Sequence, residues 1–394
     1  MRTQPAFKST LVGFDSKLPD VGTTIFTVMS ALAEQHGAIN LSQGFPDFDG
    51  PPALRERVSH YMNNGFNQYP PMAGAQPLRA AIAAKVADMY GRALHEDQEV
   101  TVTAGATEAL FCAIAAVVRA GDEVIVFDPA YDSYDPVIRL QGGTAVHLPL
   151  VAPDFRPDWQ QVADAINPRT RLIIINSPHN PTGAVWQAED MAALRAVVAQ
   201  HNIYLLADEV YEHMVFDGQP HLSLSGYDDL FERAFVVSSF GKTYHVTGWK
   251  VGYCVAPAAL TSEFRKVHQF VNFTVNTPMQ LGLADFLTTT PEHHLELPNF
   301  YQAKRDLFCS LLEGSRFRVR PTVGTYFQLL DYAAISSELD ADLARRWTAE
   351  IGIASIPISV FYADPGAAPK SLLRFCFAKD DATLRRAAER LCEL

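Results

Sequence analysis

Residues 234–257 read AFVVSSFGKTYHVTGWKVGYCVAP. An apolar run, Ala234 to Val237, turns small and polar at Ser238 and Ser239. Gly241, Lys242 and Thr247-Gly248-Trp249-Lys250 follow, and a second apolar run closes the stretch. The pattern predicts a buried strand, a loop at its end and a second strand. That loop presents Lys242 where open α/β sheets bind ligands. Apolar flanks desolvate a lysine and disfavour its ammonium form. A neutral amine can then condense with a carbonyl. Ser239 by its hydroxyl and Lys250 by its charge are suited to a phosphate. A surface lysine in a loop is the alternative. A Walker A loop is excluded: the GKT at 241–243 needs a glycine five residues before Gly241, where Val236 stands inside the strand.

The 394 residues are enough for a large core and more than one domain. With 48% hydrophobic and 19% charged residues, the composition is that of a folded chain rather than a disordered one. The net charge of −12 argues against nucleic acid as a partner. No stretch has the length and purity of a membrane span, and the first residues, MRTQPAFKSTLVGF, lack the apolar core of a signal peptide. The five cysteines are odd in number and scattered, without CxxC spacing, which fits reduced thiols in the cytoplasm. With no HExxH pattern either, no metal site is expected. His293-His294 reads as a solvated pair beside Glu292.

Along the chain, an N-terminal arm leads to a helix over 25–36, with apolar residues at helical spacing. Residues 40–52, NLSQGFPDFDGPP, form a loop containing Gly44; it is either a linker or a place where backbone amides approach a ligand. Tyr69 lies in the loop before a helix over 76–90, where a packed aromatic is the plain reading. The strand over 99–103 precedes Gly105-Ala106-Thr107 and a helix from about Glu108 to Arg119. Strand, small-residue turn and helix is an arrangement that binds phosphate; Thr107 either caps the helix or bonds the anion. Tyr131 follows the strand over 123–127 and can stack on a planar ring. Asn180 follows the strand over 171–176, in an Asx turn or as an amide donor. Asp208 closes the apolar strand over 203–207, so it is half buried and needs a partner; Tyr211 follows it.

From about residue 290 the character changes to helix, strands and a terminal helix, a smaller α+β unit. Asp340 is a plausible N-cap there. Arg374 interrupts an apolar strand, either paired structurally or aimed at a substrate carboxylate. The whole predicts an α/β fold with a mostly parallel sheet and helices on both faces. The expected division is arm and first helix over 1–45, a large domain over 46–289 and a small domain over 290–394.

In this order and spacing the segments resemble the fold-type I, class I/II aminotransferases, which use pyridoxal 5′-phosphate (PLP). INLSQGFPDF, GTYF and IPISVF look like the methionine aminotransferase and glutamine–phenylpyruvate/kynurenine group. The resemblance covers nearly the whole chain. It implies that Lys242 carries PLP, Asp208 pairs with the pyridinium nitrogen, Tyr211 and Asn180 bond the phenolic oxygen, and Tyr131 stacks on the ring. It implies Gly105, Ala106, Thr107, Ser239 and Lys250 as the phosphate site, with Tyr69 reaching the phosphate of a neighbouring subunit in a homodimer. Gly44, Asn180 and Arg374 take the substrate. Lys250 departs from the pattern, since many relatives have arginine there, and lysine lacks the bidentate fork. The implied activity moves the amino group of methionine or an aromatic or glutamine-type amino acid to a 2-oxo acid by a ping-pong route. A carbon–sulfur β-lyase on the same site and a non-catalytic protein of this fold are the competing readings.

Overall fold

The computed structural model describes residues 15–394. Of the expected N-terminal arm, residues 1–14 lie outside the described residues.

Seven strands form the central sheet, in the order Val100–Thr103, Gly252–Val255, Ala234–Ser239, Tyr204–Asp208, Thr170–Asn176, Glu123–Asp128, Thr144–Pro149. All neighbours are parallel except Gly252–Val255, which runs antiparallel to both of its neighbours. Helices cover both faces, so the inner parallel strands Glu123–Asp128, Thr170–Asn176, Tyr204–Asp208 and Ala234–Ser239 are buried on both sides and read as largely apolar runs, whereas the edge strand Thr144–Pro149 is partly exposed. In Thr170–Asn176, Ile173 and Ile175 pack into one core and Leu172 and Ile174 into the other. The pleat alternates the side chains between the two cores.

A third core is built on a four-stranded antiparallel sheet, Ile356–Pro357, Leu372–Cys376, Phe327–Asp331 and Arg318–Val319. The helix Ile25–His36 belongs with it: Met29 lies in this core, and the helix packs on Asp340–Glu350. Thr24 caps that helix through Thr27 N, and Gly37, at φ 58°, ends it. The short strand Ile39–Asn40 pairs in parallel with Ile353–Ala354 and delivers Gly44 from this core to the edge of the central sheet.

Several expectations are corrected. The helix expected from Glu108 begins at Gly105, and its N-cap is Ala104, so Thr107 lies in the first turn and does not cap it. The Glu108 carboxylate reaches back to accept the Ala104 N–H at 2.7 Å. Lys242 sits in a short helix, Phe240–Thr243, rather than an open loop. Asp340 is the first helical residue, not the cap; its carboxylate accepts from Ser359 N and Oγ, both at 2.7 Å. His293 and His294 are not a solvated pair. His294 is buried with its ring 5.0 Å from that of His213, and His293 Nε2 lies 3.1 Å from the Thr243 carbonyl. They begin the helix Glu292–Leu311, which packs there against the stretch after Lys242.

Candidate active site

The register of the sheet brings the functional residues to one edge. Asn176 pairs with Asp208, and Ser239 with Gly252, which in turn pairs with Thr103. The turns leaving these strand ends line a cavity of about 320 Å³. Its lining includes Gly44, Gly105, Ala106, Thr107, Tyr131, Asn180, Asp208, Tyr211, Ser239, Lys242, Lys250 and Arg374. Every expected site residue is therefore in one place except Tyr69, which is 82% exposed beside the Phe273 ring.

At one end the helix Gly105–Val117 points its N-terminus into the cavity, with free N–H groups and the positive end of its dipole. Gly105 has φ +76°, and a Cβ there would stand 3.2 Å from Lys250 Nζ. A Cβ on Gly252 would stand 2.9 Å from Ala106 N. Two glycines thus let an ammonium and the backbone amides close on a small volume, with the Thr107 and Ser239 side chains beside it. Lys250 is itself left-handed, at φ 53°, at the end of the turn Thr247–Trp249. Glu108 and Cys112 of this helix, with His268, bring ligand-type atoms within 4.8 Å of one another. Those atoms are engaged: His268 Nδ1 is 2.7 Å and Cys112 Sγ 3.1 Å from Glu108 Oε1, and His268 Nε2 meets the Met72 carbonyl at 3.0 Å. The cluster braces the first turn.

In the middle, the Asp208 carboxylate is buried. Burial pushes it up to about 6, against the Tyr134 hydroxyl, which donates to Oδ2 at 2.7 Å. Opposite lies Lys242. Burial, with Lys250 and Arg374 nearby, pulls its ammonium down to about 8, although Cys376 and Asp208 act the other way. Lys242 Nζ donates to the Gly44 carbonyl and to Tyr326 Oη, each at 3.0 Å. Tyr211 and Tyr326 flank it, each ring 5.6 Å from Nζ.

At the far end Arg374 is fully buried. It donates to Asn180 Oδ1 at 2.7 Å and to the Ser42 carbonyl at 2.8 Å, both neutral groups. Its Nε has no partner among the described residues. Phe327 lies 3.9 Å from the guanidinium carbon, with Phe26 and Phe361 beyond at 5.3 and 5.5 Å. A buried guanidinium among aromatics and neutral acceptors suits an incoming carboxylate.

Residues 36–391 match the family described as aminotransferase class I and II. The chain belongs to the class I and II aminotransferases. It is 57% identical to a methionine aminotransferase of Escherichia coli over 379 residues, covering 96% of this chain and 98% of that one. A probable N-succinyldiaminopimelate aminotransferase of Mycobacterium tuberculosis is 40% identical, with 96% and 98% covered. The crystal structure of Escherichia coli YbdL, for which a methionine aminotransferase function is identified, superposes with a TM-score of 0.95. It is 56% identical and covers 98% of this chain and 100% of its own.

Aminotransferases of this family are PLP enzymes, and the donor set fits that cofactor. The amide-lined end with Lys250 matches a phosphate, the buried carboxylate a ring N–H, and the low-lying amine an aldehyde. Sequence reasoning missed Tyr134 and Tyr326. Tyr134 lies within DPAYDSY and Tyr326 within GTYF, so both motifs were in view, but neither phenol's partner is near in sequence.

Proposed function

We propose that this aminotransferase takes methionine and aromatic amino acids as donors, with Lys242 as the residue that carries PLP. The observation behind the reading is the single cavity that holds a lowered amine, a buried carboxylate and a buried guanidinium in sequence along its length. The phosphate is assigned to the Gly105 and Ala106 amides, Thr107, Ser239 and Lys250. Asp208 holds the proton of the ring nitrogen, Tyr211 and Asn180 bond the phenolic oxygen, and Tyr131 stacks on the ring. Arg374, Asn180 and the Gly44 loop take the α-carboxylate. Bound PLP supplies an electron-withdrawing ring that disperses charge developing at the substrate α-carbon. Lys242, once displaced by the substrate amine, removes the α-proton as general base.

The preference for an uncharged side chain rests on the cations around the cavity. Among the described residues lining it they are Lys242, Lys250 and Arg374, all given roles above, which leaves none for a second carboxylate. Phe26, Phe327 and Leu110 line it instead. The relative identified as a methionine aminotransferase supports the same donor. A panel of half-reactions followed by absorbance tests it: methionine and phenylalanine should turn over at least tenfold better than aspartate. Equal or better turnover of aspartate or of another dicarboxylate contradicts it.

We also propose a homodimer in which Tyr69 reaches the phosphate of the neighbouring site. Tyr69 and Phe273 are exposed together, and Phe270, 86% exposed, lies in the last turn of the helix Ala258–Val271, just before Phe273. Exposed aromatics grouped in this way mark an interaction face. The division into 1–45, 46–289 and 290–394, and a cytoplasmic location suited to five free cysteines, belong to the same reading. Among the described residues no helix is long and apolar enough to cross a membrane.

A further inference from the structure

We propose that Tyr326 is a positioning residue for the amine of Lys242: it fixes the direction in which the free amine's lone pair points. The inference rests on Lys242 being the residue that carries the cofactor and acts as base.

Tyr326 is fully buried and is not among the residues lining the cavity; it stands behind the amine. Its hydroxyl is bonded to the Gly44 carbonyl, an acceptor, so the phenolic hydrogen is directed there. At Lys242 Nζ, 3.0 Å away, Tyr326 Oη therefore accepts. The Gly44 carbonyl, also 3.0 Å from Nζ, can only accept. A neutral amine has two N–H bonds, and these two oxygens take both. The lone pair is left at another tetrahedral corner, away from Tyr326 and Gly44. A base whose lone pair is held in place loses less to misorientation when it removes a proton. A phenylalanine at 326 would leave one N–H without its acceptor and the amine free to turn.

The triangle also depends on close packing. A Cβ on Gly44 would lie 2.9 Å from the Phe327 ring, so only glycine brings this carbonyl under the amine without displacing that ring. Tyr326 adjoins the strand Phe327–Asp331, which pairs with Leu372–Cys376, the strand that carries Arg374. The base and the group assigned to the substrate carboxylate are thus held by neighbouring parts of one small sheet.

The test is Tyr326→Phe in the holoenzyme, read in two ways. In the methionine half-reaction kcat should fall about 10- to 100-fold, the worth of one hydrogen bond to a charged or reacting group, with KM within threefold. α-Deuterated methionine should show a larger isotope effect than in the unaltered enzyme. Separately, Lys242 is trace-acylated in holoenzyme converted to its amino form, where the lysine is free, and mapped by peptide across pH. Loss of an acceptor disfavours the ammonium, so half-maximal labelling should move down by about one pH unit. The ionisable groups facing this amine are Asp208, Lys250, Arg374 and Cys376, unchanged in the variant, and Tyr211, whose hydroxyl loses the Tyr326 hydroxyl as a neighbour but stays neutral, burial holding it well above the usual tyrosine range. A kcat within twofold of the original overturns the proposal. So does a loss of kcat with an unmoved labelling midpoint, which marks a merely structural role. If Lys242→Ala abolishes exchange while Tyr326→Phe is silent, only this inference fails. If Lys242→Ala is also silent, the reading of Lys242 fails with it.

Discussion

Arg374 Nη1 donates to Asn180 Oδ1 across 2.7 Å, although the two residues are 194 positions apart. The bond joins a strand of the small antiparallel sheet to the turn that follows a central parallel strand. Because Oδ1 is the end of the amide that faces the guanidinium, the amide nitrogen of Asn180 is turned to other partners, which matches its assignment to the phenolic oxygen. One contact thus orients both the guanidinium assigned to the substrate carboxylate and the amide assigned to the cofactor.

Arg374→Lys keeps the charge but loses the planar fork and the bond to Asn180. We expect KM for methionine to rise about 10- to 100-fold, the range for a charge-assisted hydrogen bond, with the larger part of the loss in KM. Steady-state kinetics checks this; an unchanged KM would show that the guanidinium does not hold the substrate.

Gly252→Ala tests the phosphate end. Its Cβ would meet Ser238 O at 2.8 Å and Ala106 N at 2.9 Å, both backbone atoms that cannot swing aside. The cradle must open, and PLP affinity should drop at least tenfold, roughly 1.4 kcal/mol or more. Equilibrium dialysis or fluorescence quenching on PLP titration gives the number, and affinity equal to that of the original chain contradicts the assignment.

Lys85 and Glu212 form a buried ion pair of 2.6 Å beneath this cradle, joined by Tyr253 and Ser238. Burial pushes the Glu212 carboxyl up, but Lys85, with His213 and Ser238, holds it well below the usual range. Lys85→Met would leave a buried carboxylate uncompensated, at a cost of about 3–5 kcal/mol. Denaturant unfolding should show that loss at neutral pH. Since the folded carboxyl lies below its unfolded value, the pair's stabilisation is present above the unfolded value and is lost as pH falls toward the folded one.

The Lys242 amine offers a pH prediction. With its value pulled down to about 8, the folded chain disfavours the ammonium. Its linked stability is full above the unfolded value, near 10.4 for a free lysine, and is lost as pH falls through the folded one near 8. Acylation of Lys242 in cofactor-free protein should be half-maximal near pH 8, ahead of the surface lysines. A midpoint near 10 would show an ordinary, solvated amine.

Much of this was legible in the sequence because it depends on local chemistry. The helices Ile25–His36 and Gln76–Tyr90 have the bounds expected, as Gly37 and Gly91 end them in left-handed conformation. The parallel strands announced themselves as apolar runs ending in Asn176, Asp208 and Ser239, and those ends line the cavity or lie beside its lining residues. The order of motifs then disclosed the family. What stayed hidden is tertiary. The start of the helix at Gly105 depends on a φ of +76° and on Glu108 reaching back, which no spacing reveals. Tyr134 finds Asp208 across 74 residues and Tyr326 finds Lys242 across 84. The burial of His294 depends on a helix packing where the two histidines looked solvated.

The central claim is that one lysine holds the cofactor. Borohydride reduction of the purified holoenzyme, followed by proteolysis and mass mapping of the phosphopyridoxyl group, addresses it directly. The peptide containing Lys242 should carry the whole label, and Lys242→Ala should abolish both the label and amino-group exchange. Label on any other lysine, or exchange at the original rate without Lys242, would contradict it.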